Sequence, residues 1–164
     1  MAVRRDAIAG CGFFEALPPL DYDAAADGNT IDLLGYDGCA FVIMVGSVGG
    51  ADLDAGSYWQ IGLEHGLASA DGVSAWSIIG LQNILHSQYG SGGALSAITS
   101  GFFLSVCSAS MCGTVHVVGY LGDTTHRYVR LVLSDVAGPS NVEFAAIACL
   151  TRSHVWPVIE AAGH

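Results

Sequence analysis

The stretch GTVHVVGYLGDTTHRYVRLVLS, residues Gly113 to Ser134, carries the strongest structural signal in the chain. Two apolar runs, Val115 to Leu121 and Tyr128 to Leu133, flank the polar connection GDTT at positions 122–125. β-Branched and aromatic residues dominate both runs and turn formers lie between them, so the pattern predicts a β-hairpin. This stretch therefore places the fold in the β class.

Strand patterns continue on both sides of this stretch. Cys39 to Val45 is apolar at every position, which predicts a central strand that is buried on both faces. Ser57 to His65 alternates between apolar and polar residues, as a half-buried strand does. Val142 to Arg152 predicts a long late strand, and the alternative is an Ala-rich helix at Phe144 to Leu150.

Shorter strands and one long loop complete the pattern. The shorter strands are predicted at Asn29 to Leu34, Trp76 to Ile79 and Phe102 to Cys107. Gln82 to Leu104 is rich in Ser and Gly and predicts a long loop before the last of these strands. About seven to nine mostly antiparallel strands, with turn signals about every 8 to 12 residues, predict an all-β sandwich or jelly roll.

The first 28 residues differ in character from the rest. A Leu-Pro-Pro-Leu run forces an extended backbone and leads into an acidic segment. The sequence therefore predicts an extended N-terminal arm in residues 1–28 and a β-sandwich domain in residues 29–164. Phe13 and Phe14 are candidate anchors of this arm on another surface; the alternative is that they begin the first strand of the core.

The charge balance excludes several classes of function. The chain has 15 acidic residues, five Arg and no Lys, and its formal net charge is −10. Nucleic-acid binding requires a basic surface to neutralise phosphates, so no nucleic-acid partner is predicted. The absence of Lys also excludes P-loop phosphate binding, Schiff-base chemistry and Ser-Lys catalysis.

The apolar composition predicts burial against partners. Hydrophobic residues make up 52% of the chain and charged residues only 12%. No window of about 20 residues is continuously apolar, so no membrane insertion is predicted. We therefore expect an obligate oligomer or a subunit of a larger assembly, because so apolar a chain would expose large apolar patches as a monomer and such patches usually mark interfaces. The alternative is a Gly- and Ala-rich monomer covered by small polar residues.

The five cysteines do not have the number or spacing of a disulfide framework or a zinc site. Their number is odd and no C-x-x-C pair occurs, so neither a disulfide scaffold nor a zinc ribbon is predicted. Cysteines inside apolar runs behave as small hydrophobes, which fits folding in a reducing compartment. A disulfide between Cys107 and Cys112 across a short turn is a minor alternative.

No constellation of catalytic, cofactor-binding or metal-binding residues occurs, and the chain is not predicted to be an enzyme. Glu64 and His65 are interpreted as a surface polar pair, and His116 and His126 as neighbours across the predicted hairpin. The acidic run from Asp21 to Asp32 resembles the spacing of a calcium loop. It lacks the turn Gly at the sixth position, so a solvated acidic loop is favoured.

The scarce cations are candidate interface residues. Arg127, Tyr128 and Arg130 lie together on the second arm of the predicted hairpin, and an Arg fork suits a carboxylate. They are predicted to pair with Asp or Glu of a neighbouring strand or, alternatively, to contact another subunit. Arg4 and Arg5, in the predicted arm, are candidates for the same kind of contact.

Several segments together resemble a family of phage proteins. These are Ile31-Asp32-Leu33-Leu34-Gly35-Tyr36 with Phe41 to Gly46, the aromatic strand Tyr58 to Ile61, the "VGYxGxxxxRYVRL" stretch, and Pro157-Val158. The chain resembles small virion proteins that are encoded among the head and tail genes of tailed bacteriophages and their prophages. The resemblance covers roughly residues 29 to 158, and its motifs are structural rather than catalytic.

The resemblance implies a capsid decoration or cement protein. Its partners would be the major capsid protein and further copies of itself, in a homo-oligomer such as a trimer, with the N-terminal arm bridging subunits. It would belong to the virion, assembled in the host bacterial cytoplasm. The alternatives are a head–tail connector or tail-associated protein, and an extracellular carbohydrate- or receptor-binding sandwich that uses Trp59, Trp76 and Trp156 as a stacking platform.

Overall fold

The computed structural model describes residues 11–50, 53–69, 72–80, 84–89, 101–121 and 125–153. In this part of the chain the protein is an all-β sandwich of two antiparallel sheets, as predicted. The strands are β1 (Gly12–Tyr22), β2 (Ala26–Asp27), β3 (Ile31–Asp32), β4 (Tyr36–Val48), β5 (Tyr58–Ser69), β6 (Gly72–Ile78), β7 (Ile84–Tyr89), β8 (Phe102–Val106), β9 (Val115–Leu121), β10 (His126–Val136) and β11 (Val142–Ser153). A 3-10 helix, Ala109–Met111, precedes β9.

The strand order is that of a jelly roll. Sheet A has the order β1-β11-β4-β9-β7, and sheet B has the order β2-β10-β5-β6, with β3 paired to β10 and β8 paired to β5. The first strand pairs with the last, β2 and β3 pair with β10, β4 pairs with β9, and β5 pairs with β6 and β8. An antiparallel ribbon wrapped in this way into two sheets gives the two Greek keys of a jelly roll.

The prediction of a hairpin between β9 and β10 is wrong, although both strands exist. β9 belongs to sheet A, between β4 and β7, and β10 belongs to sheet B, between β5 and the short strands β2 and β3. A strand has two hydrogen-bonding edges, and the two edges of each of these strands are already occupied by those neighbours. The connection therefore crosses from one sheet to the other.

The core lies between the two sheets. Sheet A contributes Phe41 and Phe144, and sheet B contributes Trp59 and Leu131, all at most 1% exposed. The Trp59 ring meets the Phe144 ring edge-on, with 5.9 Å between centroids, and its indole nitrogen donates a hydrogen bond to the Ser140 carbonyl at 2.9 Å. The core therefore accommodates the polar atom of its largest side chain.

The segment predicted as an arm is in part a core strand. Residues 12–22 form β1 and pair with β11, from Gly12 opposite Leu150 to Tyr22 opposite Val142. Leu17 is 1% exposed. This corrects the 1–28 arm: Phe13 and Phe14 begin the first strand of the sandwich, which was the alternative, and the residues before Cys11 lie outside the described part.

Other strand predictions are confirmed or corrected by the same register. Cys39 to Val45 is the middle of β4, the central strand of sheet A, and Val142 to Arg152 is a strand rather than a helix. The prediction that β4 is buried on both faces is wrong: Phe41 and Ile43 are buried between the sheets, but Met44, on the outward face, is 39% exposed. The long loop predicted for Gln82 to Leu104 contains a strand, β7, paired with β9. Residues 90–100 of that loop lie outside the described part.

Candidate functional site

The outward face of sheet A is apolar, and we call its central part the apolar face. β11, β4 and β9 contribute aligned rows to it, because their register places the outward residues side by side. The residues of the apolar face are Ala145, Met44 and Val115; Ile147, Val42 and Val117; and Cys149, Ala40 and Gly119. Met44 is 39%, Ile147 43% and Val115 36% exposed, so large apolar side chains face solvent here.

A groove follows β11 along one side of the apolar face. Two adjoining cavities of about 440 and 300 Å³ share Pro19, Met44 and Ala145 in their linings. β1 forms one wall of the groove, and its pairing with β11 contains register shifts between Glu15 and Leu20. Small residues leave the floor open, because Ala145 has no side chain beyond Cβ to fill the space.

The conformation of β1 fixes this groove. The Tyr22 hydroxyl donates a hydrogen bond to the Pro18 carbonyl at 2.9 Å, within the shifted part of the strand. Phe13 and Phe14, which are 56% and 47% exposed, line the larger cavity, and Leu20 lines the smaller one. The groove therefore has apolar walls that are held in place by the pairing of β1.

The groove has an acidic rim formed by Glu15, Asp21 and Glu143, and all three side chains are exposed. Among the described residues their hydrogen-bond partners are neutral: Asn29 donates to Glu15, Asn141 to Asp21, and the backbone N–H of Ser47 to Glu143. The hydrogen bond from the Ser47 backbone lowers the pKa of Glu143, which keeps that carboxylate charged. The rim therefore presents three acidic side chains that no Arg of the described residues pairs with.

The outward face of sheet B is different, because Arg130 organises it. Its guanidinium lies 2.7 Å from Glu64 Oε2 and 2.8 Å from Asp27 Oδ2. The same group lies 4.3 Å from the centre of the Trp76 ring, in a cation–π contact. The intramolecular pairing predicted for Arg130 is thus observed, with carboxylates from two strands.

Arg127 forms a second ion pair on sheet B, with Asp32, and also contacts the Tyr128 ring. Arg127 donates two hydrogen bonds to the Asp32 carboxylate, at 2.7 and 2.5 Å, and its guanidinium lies 5.1 Å from the Tyr128 ring centre. These bonds lower the pKa of Asp32. Contact of these residues with another subunit stays a prediction, and Arg4 and Arg5 lie outside the described residues.

The histidines are arranged differently from the prediction. His116 lies buried in sheet A, where its Nε2 is 2.9 Å from the Thr114 hydroxyl, so it is not a cross-strand neighbour of His126. The His126 ring instead stacks on His65, with 3.5 Å between ring centroids. His65 Nδ1 also lies 3.1 Å from the Tyr120 hydroxyl, which joins the two sheets at this end. The sequence did not indicate this pair, because its members lie in β5 and β10.

The cysteines, all of which are described, form no disulfide, and this includes Cys107 and Cys112. Burial raises the pKa of the Cys39 thiol to about 12, so it stays protonated at neutral pH. Burial and the neighbouring Cys11 thiol also raise the pKa of Cys149. Cys39 therefore behaves as a small core hydrophobe, as its apolar surroundings predicted.

The acidic run from Asp21 to Asp32 does not form one loop. Asp21 lies in β1, Asp27 in β2 and Asp32 in β3, and the last two are paired with arginines. Across the described ranges no group of three or more His, Cys, Asp or Glu side chains could hold a metal ion. The same ranges contain no helix long and apolar enough to cross a membrane.

The tryptophans do not form one platform in the described structure. Trp59 is fully buried, and Trp76 is covered by Arg130 on sheet B. Trp156 lies outside the described residues. The surface feature that sequence reasoning missed is the apolar face, and its signal was the run of apolar residues at both odd and even positions of Cys39 to Val45.

Comparison with known proteins gives no family to which the chain can be assigned. No protein-family model matches it, and no curated protein matches its sequence significantly.

Proposed function

We propose that the protein is a structural virion protein that decorates the assembled head shell of a tailed bacteriophage and stabilises it. The observation that carries this proposal is the apolar face of sheet A, with Met44, Ile147 and Val115 exposed in aligned rows. Contiguous apolar surface of this kind usually marks a protein–protein interface. The resemblance of the chain to phage virion proteins supplies the setting.

The size of the sheet supports an interface of ordinary extent. Strands lie about 4.8 Å apart and rise about 3.4 Å per residue, so the whole of sheet A, with five strands about ten residues long, presents about 800 Å², and the apolar face is its central part. A stable interface buries about 800 Å² on each partner. Sheet B is the less suitable surface, because Arg130 already satisfies Glu64 and Asp27 within the chain.

The mechanism would be thermodynamic. A protein that binds only the assembled shell stabilises that state by mass action, by about 2.7 kcal/mol per site when its free concentration is about 100 times Kd. Symmetric self-association around the shell would add weak contacts without a new binding site. No chemical step is required of any residue.

Copy number in purified particles tests the proposal. We expect about one copy per major capsid protein or per local symmetry site, and earlier thermal opening of particles from which the protein has been removed. A dozen copies or fewer would indicate a connector or tail position, and absence from the particle would refute a virion role.

A matched pair of variants tests the surface. Met44→Gln places a polar group on the apolar face at a side chain that is 39% exposed, and Ile78→Gln places the same group on sheet B at a side chain that is 38% exposed. We expect the first variant to lose binding to depleted particles and the second to retain it. Equal binding by both would contradict the assignment of sheet A, and a thermal melt of each variant confirms that it is folded.

A further inference from the structure

We propose that the groove along β11 binds one extended segment of a partner protein, apolar at alternate positions and carrying Arg or Lys between them. The inference rests on the proposed function for the source of this segment, a shell protein, but not for its chemistry. The chemistry follows from the shape, lining and charge of the groove.

The shape of the groove selects an extended chain. The groove follows β11 from Glu143 to Ile147, which is four residue steps or about 14 Å. Its floor at Ala145 lies between Met44 of β4 and Pro19 of β1, which line both cavities. A segment laid along such a floor turns every second side chain toward it, because side chains alternate along an extended chain.

The lining selects apolar side chains at those positions. Phe13, Pro19 and Ile147 line the larger cavity, and Leu20 lines the smaller one. Each apolar side chain that leaves water on binding here contributes about 25 cal/mol per Å² of buried area. Pro19 has no side-chain entropy to lose on binding, because its ring is fixed to the backbone.

The rim selects cations for the other positions. Glu15, Asp21 and Glu143 surround the groove, and their partners in the described structure are the neutral groups of Asn29, Asn141 and Ser47. An Arg or Lys that reaches over the rim would meet a carboxylate, and such contacts raise the association rate and fix the register.

A second copy of this chain is the weaker occupant. Two grooves placed face to face would bring the acidic rims together, and like charges at an interface are unfavourable. The two Arg side chains that the structure describes, Arg127 and Arg130, lie on sheet B and are already paired with carboxylates. A basic partner segment satisfies the rim without such conflict.

Three labelled heptapeptides test the chemistry in solution without any particle. They are GVRVRVG, GVEVEVG, in which Glu replaces Arg, and GSRSRSG, in which Ser replaces Val. We expect saturable binding of the first by fluorescence anisotropy, and binding of the other two that is weaker by at least about tenfold. Failure of GVRVRVG to bind, or equal binding of GVEVEVG, would overturn the inference.

Two Ala→Arg variants test the location. Ala145→Arg fills the floor of the groove, and Ala109→Arg adds the same charge at an exposed site in the 3-10 helix. Binding of GVRVRVG should fall by at least about tenfold in Ala145→Arg and stay unchanged in Ala109→Arg. Equal affinities of the two variants would place the peptide elsewhere. Glu143→Gln should reduce the dependence of binding on salt, and an unchanged salt dependence would contradict the role of the rim.

A photo-cross-linking residue at position 44 identifies the partner in purified particles. The expected product joins position 44 to an apolar, Arg- or Lys-containing segment of a shell protein. A product with a second copy of this chain, or with an acidic segment, would overturn the inference while leaving a virion role intact. Absence of the protein from particles would refute the proposed function but not the peptide result.

Discussion

Arg130 connects three elements of sheet B through one side chain. Its guanidinium contacts Asp27 in β2, Glu64 in β5 and Trp76 in β6, while the strand that carries it lies between the first two. The Arg130 and Glu64 side chains are only 18% and 17% exposed, so solvent screens this pair less than an ordinary surface pair. Removing the cation leaves a half-buried carboxylate without compensation.

We therefore expect Arg130→Met to lower the free energy of unfolding by about 1–3 kcal/mol. Arg127→Met is the matched control, because its pair with Asp32 is 37% and 43% exposed, and a smaller loss is expected. Urea unfolding at pH 7 measures both. A larger loss for Arg127→Met than for Arg130→Met would contradict the difference in burial.

The Asp32 carboxylate should give a pH-dependent contribution. Hydrogen bonds from Arg127 lower its pKa in the folded state, so its contribution is fully present above the ordinary carboxyl range and is lost as the pH falls through the lowered value. Asp32→Asn keeps an acceptor for the Leu34 backbone N–H but removes the charge. The stability difference between wild type and Asp32→Asn should therefore be largest at neutral pH and vanish in acid; a constant difference would argue against the ion pair.

The Cys39 thiol should be protected from alkylation in the folded protein. Its pKa is raised to about 12 by burial and its side chain is 3% exposed, so both the reactive thiolate and access are missing. Iodoacetamide labelling at pH 8, followed by peptide mass spectrometry, should modify Cys39 only at the rate of unfolding. Rapid modification in buffer would contradict its place in the core, and labelling in denaturant supplies the control.

At the scale of elements, β1 shows how an apparent arm becomes part of a sheet. Its proline pair, with Phe13 and Phe14 as candidate anchors, suggested a segment that lies along another surface, yet Ala16 and Leu17 are buried in the core. The register shifts around the prolines let the strand pair with β11 on both sides of them. An edge strand tolerates proline, because only one of its edges carries ladder hydrogen bonds.

Leu17→Ala should lower the free energy of unfolding by about 2–4 kcal/mol, as buried Leu truncations do. Phe13→Ala is the control, since its side chain is 56% exposed and its loss should have little effect on stability. Urea unfolding of the two variants distinguishes a core strand from an arm. An arm would leave both variants as stable as the wild type.

The strands β9 and β10 mark the limit of what local sequence predicts. Their propensities identify both strands and the connection at positions 122–125, but a connection of this length permits a hairpin within one sheet or a crossing to the other. The choice depends on β4, β7 and β5, which occupy the edges of the two strands. Pairing partners are a tertiary property, and the same cause hid the stacking of His126 on His65.

The candidate site could be predicted only in part, for the same reason. The Arg fork of Arg130 indicated a carboxylate partner, but the identity of Glu64, 66 residues earlier, required the register of β5 with β10. The apolar face is harder still to predict from the sequence. Each strand contributes only a few outward residues, and Ile147, Val42 and Val117 become neighbours only when the sheet is formed.

At the scale of the whole molecule, acidic charge and apolar surface occur together. The formal net charge is −10, and the two Arg side chains in the described part form ion pairs with carboxylates on sheet B. Acidic residues outnumber arginines by 15 to five, and self-repulsion among an excess of one charge destabilises a compact state. A net charge far from zero therefore favours solubility and lowers the stability of the fold at the same time.

Salt should therefore stabilise the isolated protein. Raising NaCl from about 10 mM to about 0.5 M shortens the screening length from about 30 Å to a few Å, which weakens the long-range repulsion among acids. The Arg130–Glu64 pair is half-buried and loses less, since buried pairs are screened less than exposed ones. Tm measured by differential scanning calorimetry should rise with NaCl concentration. The rise should be smaller in a variant in which exposed acids outside the ion pairs, such as Glu15, Asp21 and Glu143, are replaced by Gln or Asn. A fall in Tm with salt would mean that attractive pairs, rather than the excess of acids, dominate the electrostatics of the fold.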